Sequence, residues 1–254
     1  SQTIGLYCWR GGMRSESMAW LLSFYGIPVK VLQGGYQSYR RFALSQFEKK
    51  FQLKILSGKT GSAKTLILHE IMKTGVQGID LEGLAGHKGS AFGSLGQPPQ
   101  PSQEQFENHL ALKLWKCNLD LPLWLEDESR KIGKVSLPGG FFEQMQQAPA
   151  LEIEKPLEER IRYLIKDYGQ FSKEQLTAAL QNLKDRLGDE NTRKASDLIL
   201  QGDLEQACTL LLDYYDRGYE LFRKKRKGSF TSLFLSGLPD AHQAQKILET
   251  ETLL

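Results

Sequence analysis

Apolar and polar positions fall into two regimes along this chain. Up to about residue 156, short apolar runs alternate with amphipathic stretches, the pattern of strands followed by helices. Ile4-Gly5-Leu6-Tyr7 is the first run and ends at Cys8. Residues 15–24 then predict a helix closed by Gly26, and 27–32 a short strand that Gly34-Gly35 breaks before a basic helix. Phe51-Gln52-Leu53-Lys54-Ile55-Leu56 reads as a buried strand, followed by a glycine-bearing turn and an apolar helix from Leu66. Residues 76–81 predict another strand. The run Leu121 to Leu125 predicts one more, ending in Glu126, Asp127 and Glu128.

From Leu157 onward the period is mostly helical, over 157–168, 173–187, 190–201 and 203–226. Ser102 with Gln105 and Ser172 with Gln175 have capping-box spacing, and Asp203 with Gln206 is a looser version. Leu204, Ala207, Leu211, Tyr214 and Leu221 form a stripe suited to packing. The pattern predicts an α/β fold, a parallel sheet flanked by helices with a helical C-terminal region. Its expected domains are 1–48, then a phosphate-loop domain over 49–156, then a helical region over 157–254 packed on it.

Composition narrows the class. With 254 residues, 40% hydrophobic and 25% charged, the chain has globular proportions. No apolar run approaches the ~20 residues that span a bilayer. Three widely spaced cysteines (Cys8, Cys117, Cys208) form neither a disulfide framework nor a zinc pattern, and suit a reducing cytoplasm. A net charge of +3 permits a nucleic-acid partner without demanding one, so the placement of charge matters more than its sum.

Three segments carry candidate chemistry. Cys8 lies at a strand end before a loop that turns into a helix start. The loop N–H groups, the helix dipole and the guanidinium groups of Arg10 and Arg14 favour a thiolate there, and Gly11 and Gly12 let the backbone curl round an anion. Gly58, Lys59, Thr60, Gly61, Ser62, Ala63, Lys64 and Thr65 stand between a strand and a helix, as a phosphate loop requires. Lys64 would reach the phosphates and Thr65 a magnesium ion, with Asp127 as its second expected holder. Ala63 departs from the pattern, which asks for glycine; its methyl group crowds the loop or disfavours the needed backbone angle. The third segment, from Asp80 to Gly93, gathers Asp80, Glu82, His87, Lys88 and Ser90 at a strand end, where α/β proteins place their sites. Asp127, Glu128 and Arg130 join it from the acidic strand end, where Asp127 or Glu128 would serve as metal holder or base.

Cys8 to Ser15 resembles the active-site loop of a rhodanese domain, which carries sulfur or selenium as a persulfide-type adduct. Only the last third of such a domain is expected here, its N-terminal part being absent. Together with the phosphate loop, the segments 80–93, 101–107 and 124–130 resemble the bacterial tRNA 2-selenouridine (geranyl-2-thiouridine) synthase family. That resemblance spans essentially the whole chain. It implies geranyl transfer from geranyl diphosphate to the sulfur of wobble 2-thiouridine, then replacement of the geranylthiol by selenium from selenophosphate. The partners implied are a tRNA bearing 2-thiouridine and those two co-substrates, with no tightly bound cofactor beyond magnesium. Cys8, Lys64 and Asp80 are the expected catalytic residues.

Arg223, Lys224, Lys225, Arg226 and Lys227 form a basic run suited to tRNA phosphates, or to a solvated helix end. Phe92, Trp115, Trp124, Phe141 and Phe142 are candidate linings for a prenyl groove, or ordinary core. The competing functions are a phosphate-loop kinase or NTPase and a non-catalytic tRNA-binding module.

Overall fold

The structure, a computed structural model, describes residues 3–252. These divide into two compact units, residues 3–49 with 107–116, and residues 50–106 with 117–252.

In the first unit, β1 (Ile4–Leu6) pairs in parallel with β2 (Val29–Val31), and α1 (Met13–Phe24) connects them. α2 (Gly35–Ser45) follows. Only Ser15 of α1 is buried, and Met13, Trp20 and Phe24 stand exposed. Arg40 on α2 donates to Asn108 Oδ1 at 2.9 Å and pairs with Glu107.

The second unit opens with β3 (Leu53–Gly58), α3 (Lys64–Lys73), β4 (Gly78–Ile79) and α4 (Leu81–Ala85). After α5 (Gln103–Lys116), which runs from this unit into the first, come β5 (Leu123–Glu126), β6 (Lys131–Ile132), β7 (Val135–Ser136), α6 (Gly139–Gln147) and β8 (Ala150–Glu154). Then follow α7 (Leu157–Tyr168), α8 (Lys173–Leu180), α9 (Lys184–Leu187), α10 (Asp189–Gln201), α11 (Leu204–Lys225), β9 (Phe230–Phe234) and α12 (Asp240–Thr252). The main sheet has the order β4-β5-β3-β8-β9 and every pairing is parallel. Its inner strands β3, β5 and β8 are mostly buried, β5 throughout, as a sheet covered by helices demands. Ile67, Leu68 and Ile71 of α3 pack with Ala244 and Ile247 of α12 against Leu56, Trp124 and Ile153.

The expected α/β class with a helical C-terminal region is the observed one. Within residues 157–252 one strand, β9, pairs with β8 as the edge of the main sheet, and α12 packs on α3. The region predicted to lie beside the phosphate-loop domain therefore completes it. A smaller helical cluster of α8, α10 and α11 buries Leu176, Leu180, Ala195, Ile199 and Leu211. Ala207 and Leu211 of the predicted stripe are buried, whereas Leu221 is 62% exposed. Both arms of the Ser172–Gln175 capping box form.

Candidate functional site

The cysteine loop lies in the first unit. Gly11 N and Gly12 N donate to Cys8 Sγ at 3.2 and 3.3 Å, and Ser15 Oγ at 3.4 Å. These donors hold the Cys8 thiol down at about 6, Ser15 contributing most and Gly12 next, against the opposing effect of burial. Arg10 acts through its backbone, while the side chains of Arg10 and Arg14 stand exposed. Gly34-Gly35 has a local reason. Tyr36 N and Gln37 N at the start of α2 donate to Cys8 O and Trp9 O at 2.9 and 3.0 Å. A Cβ on Gly35, whose φ is +58°, would collide with Cys8 O and Gly11 N.

The phosphate loop lies in the second unit, at the C-terminal end of the central strand β3, where connections run to β4 and β5 on one side and β8 on the other. Open α/β sheets bind ligands at such a switch point. Lys64 Nζ donates to Gly58 O at 2.9 Å, arching over the loop. Ser62 Oγ is buried and has no hydrogen-bond partner among the described residues. Ala63 adopts φ 63° and ψ 31°, the one positive φ outside glycine among the described residues. The glycine-favouring geometry is thus kept, with alanine bearing its strain. Lys59 pairs with Glu220 of α11 at 3.2 Å. Gly61 lies on Arg160 of α7, whose guanidinium forks onto Asp216 of α11 at 2.8–3.1 Å.

The acidic residues are arranged differently from expectation. Asp80 caps α4, accepting from Gly83 N at 2.6 Å, and its other oxygen lies 2.8 Å from His69 Nε2. Both oxygens are thereby engaged. Glu82, two residues on, reaches the loop and accepts from Thr65 Oγ1 at 3.0 Å. Asp127 is turned inward: Ser57 Oγ donates to one oxygen at 2.6 Å and Arg226 Nη1 to the other at 2.7 Å. Both Asp127 oxygens are thereby engaged, and Asp127 also lines a cavity beside Lys64 and Thr65. Glu126 and Glu128 are buried beside Glu82; burial pushes all three carboxyls upward, the charge of Glu82 adding to this at Glu126 and Glu128 and that of Asp80 at Glu82.

The 86–93 loop closes over these carboxylates, with Gly89 at φ +67° packed on Glu128. Lys88 Nζ bonds both oxygens of Asp167 at 2.7 Å and lies over the Tyr168 ring. His87 is held below its usual pKa by burial. Arg130 is exposed at the start of the following hairpin.

The basic run divides. Arg226 is buried on Asp127, donating also to Met145 O and Ala148 O, and Arg223 bonds Glu152 at 3.1 Å. A tRNA-phosphate contact by Arg226 is therefore corrected: its guanidinium is sealed in the interior. Lys224, Lys225 and Lys227 are exposed. Spacing gave no signal for Glu82 as the Thr65 partner, nor for Arg160 and Asp216 behind the loop.

A cavity of about 1410 Å³ runs from this loop into the helical cluster. Lys64, Thr65, Glu82, His87, Lys88, Ser90 and Glu128 line its polar end, and Leu176, Leu183, Leu187, Ile199 and Leu211 its apolar end. Of the aromatic residues expected to line a groove, Phe92 does so; Trp124 and Phe141 are sheet core.

A parallel sheet with this loop at its switch point defines a phosphate-loop protein. The profile described as the tRNA 2-selenouridine synthase AAA domain matches residues 51–241. A tRNA 2-selenouridine synthase of Marinobacter nauticus is 34% identical over 257 residues, covering 88% of this chain and 69% of the relative. One of Nitrosomonas europaea is 42% identical over 169 residues, covering 64% of this chain and 43% of the relative. This chain belongs to the tRNA 2-selenouridine synthase family. It spans about two thirds of the first relative's length and less than half of the second's. Among solved structures there is a loose likeness to a shikimate kinase of Acinetobacter baumannii in complex with shikimate (TM-score 0.39, 15% identity, 82% of this chain and 97% of that one).

Proposed function

We propose that this chain modifies wobble 2-thiouridine in tRNA, first by geranyl transfer from geranyl diphosphate to the sulfur, then by exchange for selenium from selenophosphate. The observation that carries the reading is the cavity, with a phosphate loop at one end and leucine and isoleucine walls at the other. That combination suits an anionic head on a branched hydrocarbon tail.

In the first step the bond between the geranyl carbon and diphosphate oxygen breaks, a carbon–sulfur bond forms, and the uracil N3 proton is lost. Lys64 and the loop N–H groups offset the charge that develops on the leaving diphosphate. Thr65 and Glu82 are the residues that would hold magnesium, and the crowding of Glu82, Glu126 and Glu128 fits a cation there. Magnesium would neutralise diphosphate charge. In the second step selenium of selenophosphate forms a bond to C2, geranylthiol departs as the C2–S bond breaks, and water cleaves the P–Se bond to release phosphate. The Cys8 loop, with its N–H donors, positions the selenium donor. Lys224, Lys225 and Lys227 offer phosphate contacts for tRNA, and we place the reaction in the cytoplasm with its tRNA.

Titration of the chain with geranyl diphosphate, inorganic diphosphate and ATP tests this. Geranyl diphosphate should bind at least tenfold more tightly than inorganic diphosphate, and Leu183→Asp should abolish the difference. Equal binding of the two, or robust ATP turnover without tRNA, contradicts the reading and favours an NTPase.

A further inference from the structure

The proposed reaction requires a large polyanion to present one base at the cavity, and the cavity rim carries a feature that no role above absorbs. Between Arg130 and Leu137 the chain forms a miniature antiparallel hairpin, β6 on β7, with Lys131 opposite Ser136 and Ile132 opposite Val135. A two-stranded hairpin this short is unstable alone. Here it is clamped from outside. Gln100 Oε1 accepts from Lys134 N at 2.8 Å and its Nε2 donates to Ile132 O at 3.1 Å and Ala85 O at 2.9 Å. Gln103 bonds both the N–H and the C=O of Ser136 at 2.8 Å. Gly133 turns the tip at φ +60°, with Gln100 filling the space that a side chain would need. Ile132, Val135 and Leu137 point inward and are 0–1% exposed.

The outward positions are cationic. Arg130, Lys131 and Lys134 are exposed, and none pairs with a carboxylate among the described residues. Lys131, Gly133 and Lys134 line the same cavity as Lys64 and Glu128. An ordinary solvated lysine sits on a flexible surface. These three cations occupy a backbone fixed on both edges, with their carboxylate neighbours turned inward.

We propose that the Arg130–Leu137 hairpin is an RNA-docking element that grips phosphodiester groups at the cavity rim and so fixes which nucleotide enters. The inference rests on the tRNA reading above and assigns a surface to it. Phosphate contacts of this kind set register and orientation without reading sequence. A splayed wobble base then needs only to reach from a gripped backbone into the polar end of the cavity.

The test is fluorescence anisotropy of the full chain with a labelled anticodon stem-loop carrying 2-thiouridine, over a series of salt concentrations. The variant Arg130→Ala/Lys131→Ala/Lys134→Ala should lose at least tenfold in affinity near physiological salt. Its slope of log K against log salt should fall by about 2, at roughly 0.7 per lost contact on single-stranded RNA. The charge-conserving Lys131→Arg/Lys134→Arg should bind as the unaltered chain does. Gln100→Ala keeps every cation but unclamps the hairpin, and should weaken binding several-fold with the slope unchanged. Unaltered affinity and slope in the triple variant would overturn the hairpin while leaving the tRNA reading standing. If the unaltered chain binds no stem-loop, the tRNA reading fails and the hairpin assignment fails with it.

Discussion

Arg226 Nη1 lies 2.7 Å from Asp127 Oδ1, and the two side chains are 0% and 1% exposed. This pair ties the residue after the longest helix to the residue after β5, across 99 positions of sequence. Removing one partner of a buried pair leaves the other charge without compensation, typically at about 3–5 kcal/mol. Asp127→Asn should therefore lower unfolding stability by about that much in denaturant titration. Asp127→Leu/Arg226→Met should recover most of the loss, and Lys224→Ala should change stability by less than about 0.5 kcal/mol. A harmless Asp127→Asn would show that the pair is not as dry as the structure has it.

Ala63 holds a left-handed backbone that costs a residue with a Cβ about 1–2 kcal/mol. Ala63→Gly removes that strain but adds freedom to the unfolded chain. A net gain of about 0.5–1 kcal/mol in chemical denaturation is expected, with tighter binding of inorganic diphosphate. A destabilised glycine variant would mean that the loop relaxes out of this conformation in solution.

Cys8 should alkylate as a thiolate well below the pH at which ordinary cysteines react. Its rate with iodoacetamide should rise through a midpoint near pH 6, the value to which Ser15, Gly12 and their neighbours hold it. Ser15→Ala removes the largest contribution and should move the midpoint upward. Cys208, which burial pushes up to about 11, should stay inert over the same range. A Cys8 midpoint near 8.5, ordinary for a free thiol, would remove the anion-loop account.

Glu126 is buried, and burial first, then Glu82 and Asp80, push its carboxyl up to about 8. The folded chain thus holds a proton that the unfolded chain releases near its ordinary value of about 4.3. Stability attached to this group is present in full below that value and is lost as pH rises toward 8. Glu126→Gln keeps the acceptor for Leu81 N and cannot ionise. It should match the unaltered chain near pH 5 and exceed it increasingly up to pH 8, as thermal unfolding would read. Parallel curves for the two proteins across that span would contradict the burial of a protonated acid.

What the sequence disclosed follows from the range of the forces involved. The β3 strand, phosphate loop and α3 were legible because each is dictated within a few residues, by an apolar run, by glycines and by a helix start. The Cys8 loop was legible for the same reason. β8 and β9 were not, since Phe230–Phe234 follows five near-continuous cations and gains its strand identity from pairing with β8, a distant segment. Among the acids, order along the chain said little about order in space. Asp80, expected in chemistry, is also a helix cap, a role that its spacing to Gly83 could have signalled. Glu82 gained the Thr65 contact because α4 turns it toward the loop. The basic run looked uniform, yet Asp127 and Glu152, both remote in sequence, drew Arg226 and Arg223 inward.

In the proposed reaction the loop around Lys64 and its apolar cavity transfer a geranyl group to thiolated tRNA. Nucleoside mass spectrometry of 2-thiouridine tRNA, incubated with geranyl diphosphate and then selenophosphate, tests it most directly. S-geranyl-2-thiouridine is expected in the first stage, at least a hundredfold less of it with Lys64→Ala, and undiminished geranylation with Cys8→Ser. Absence of the geranylated nucleoside from the unaltered chain, or its full yield from Lys64→Ala, would rule out geranyl transfer at this loop.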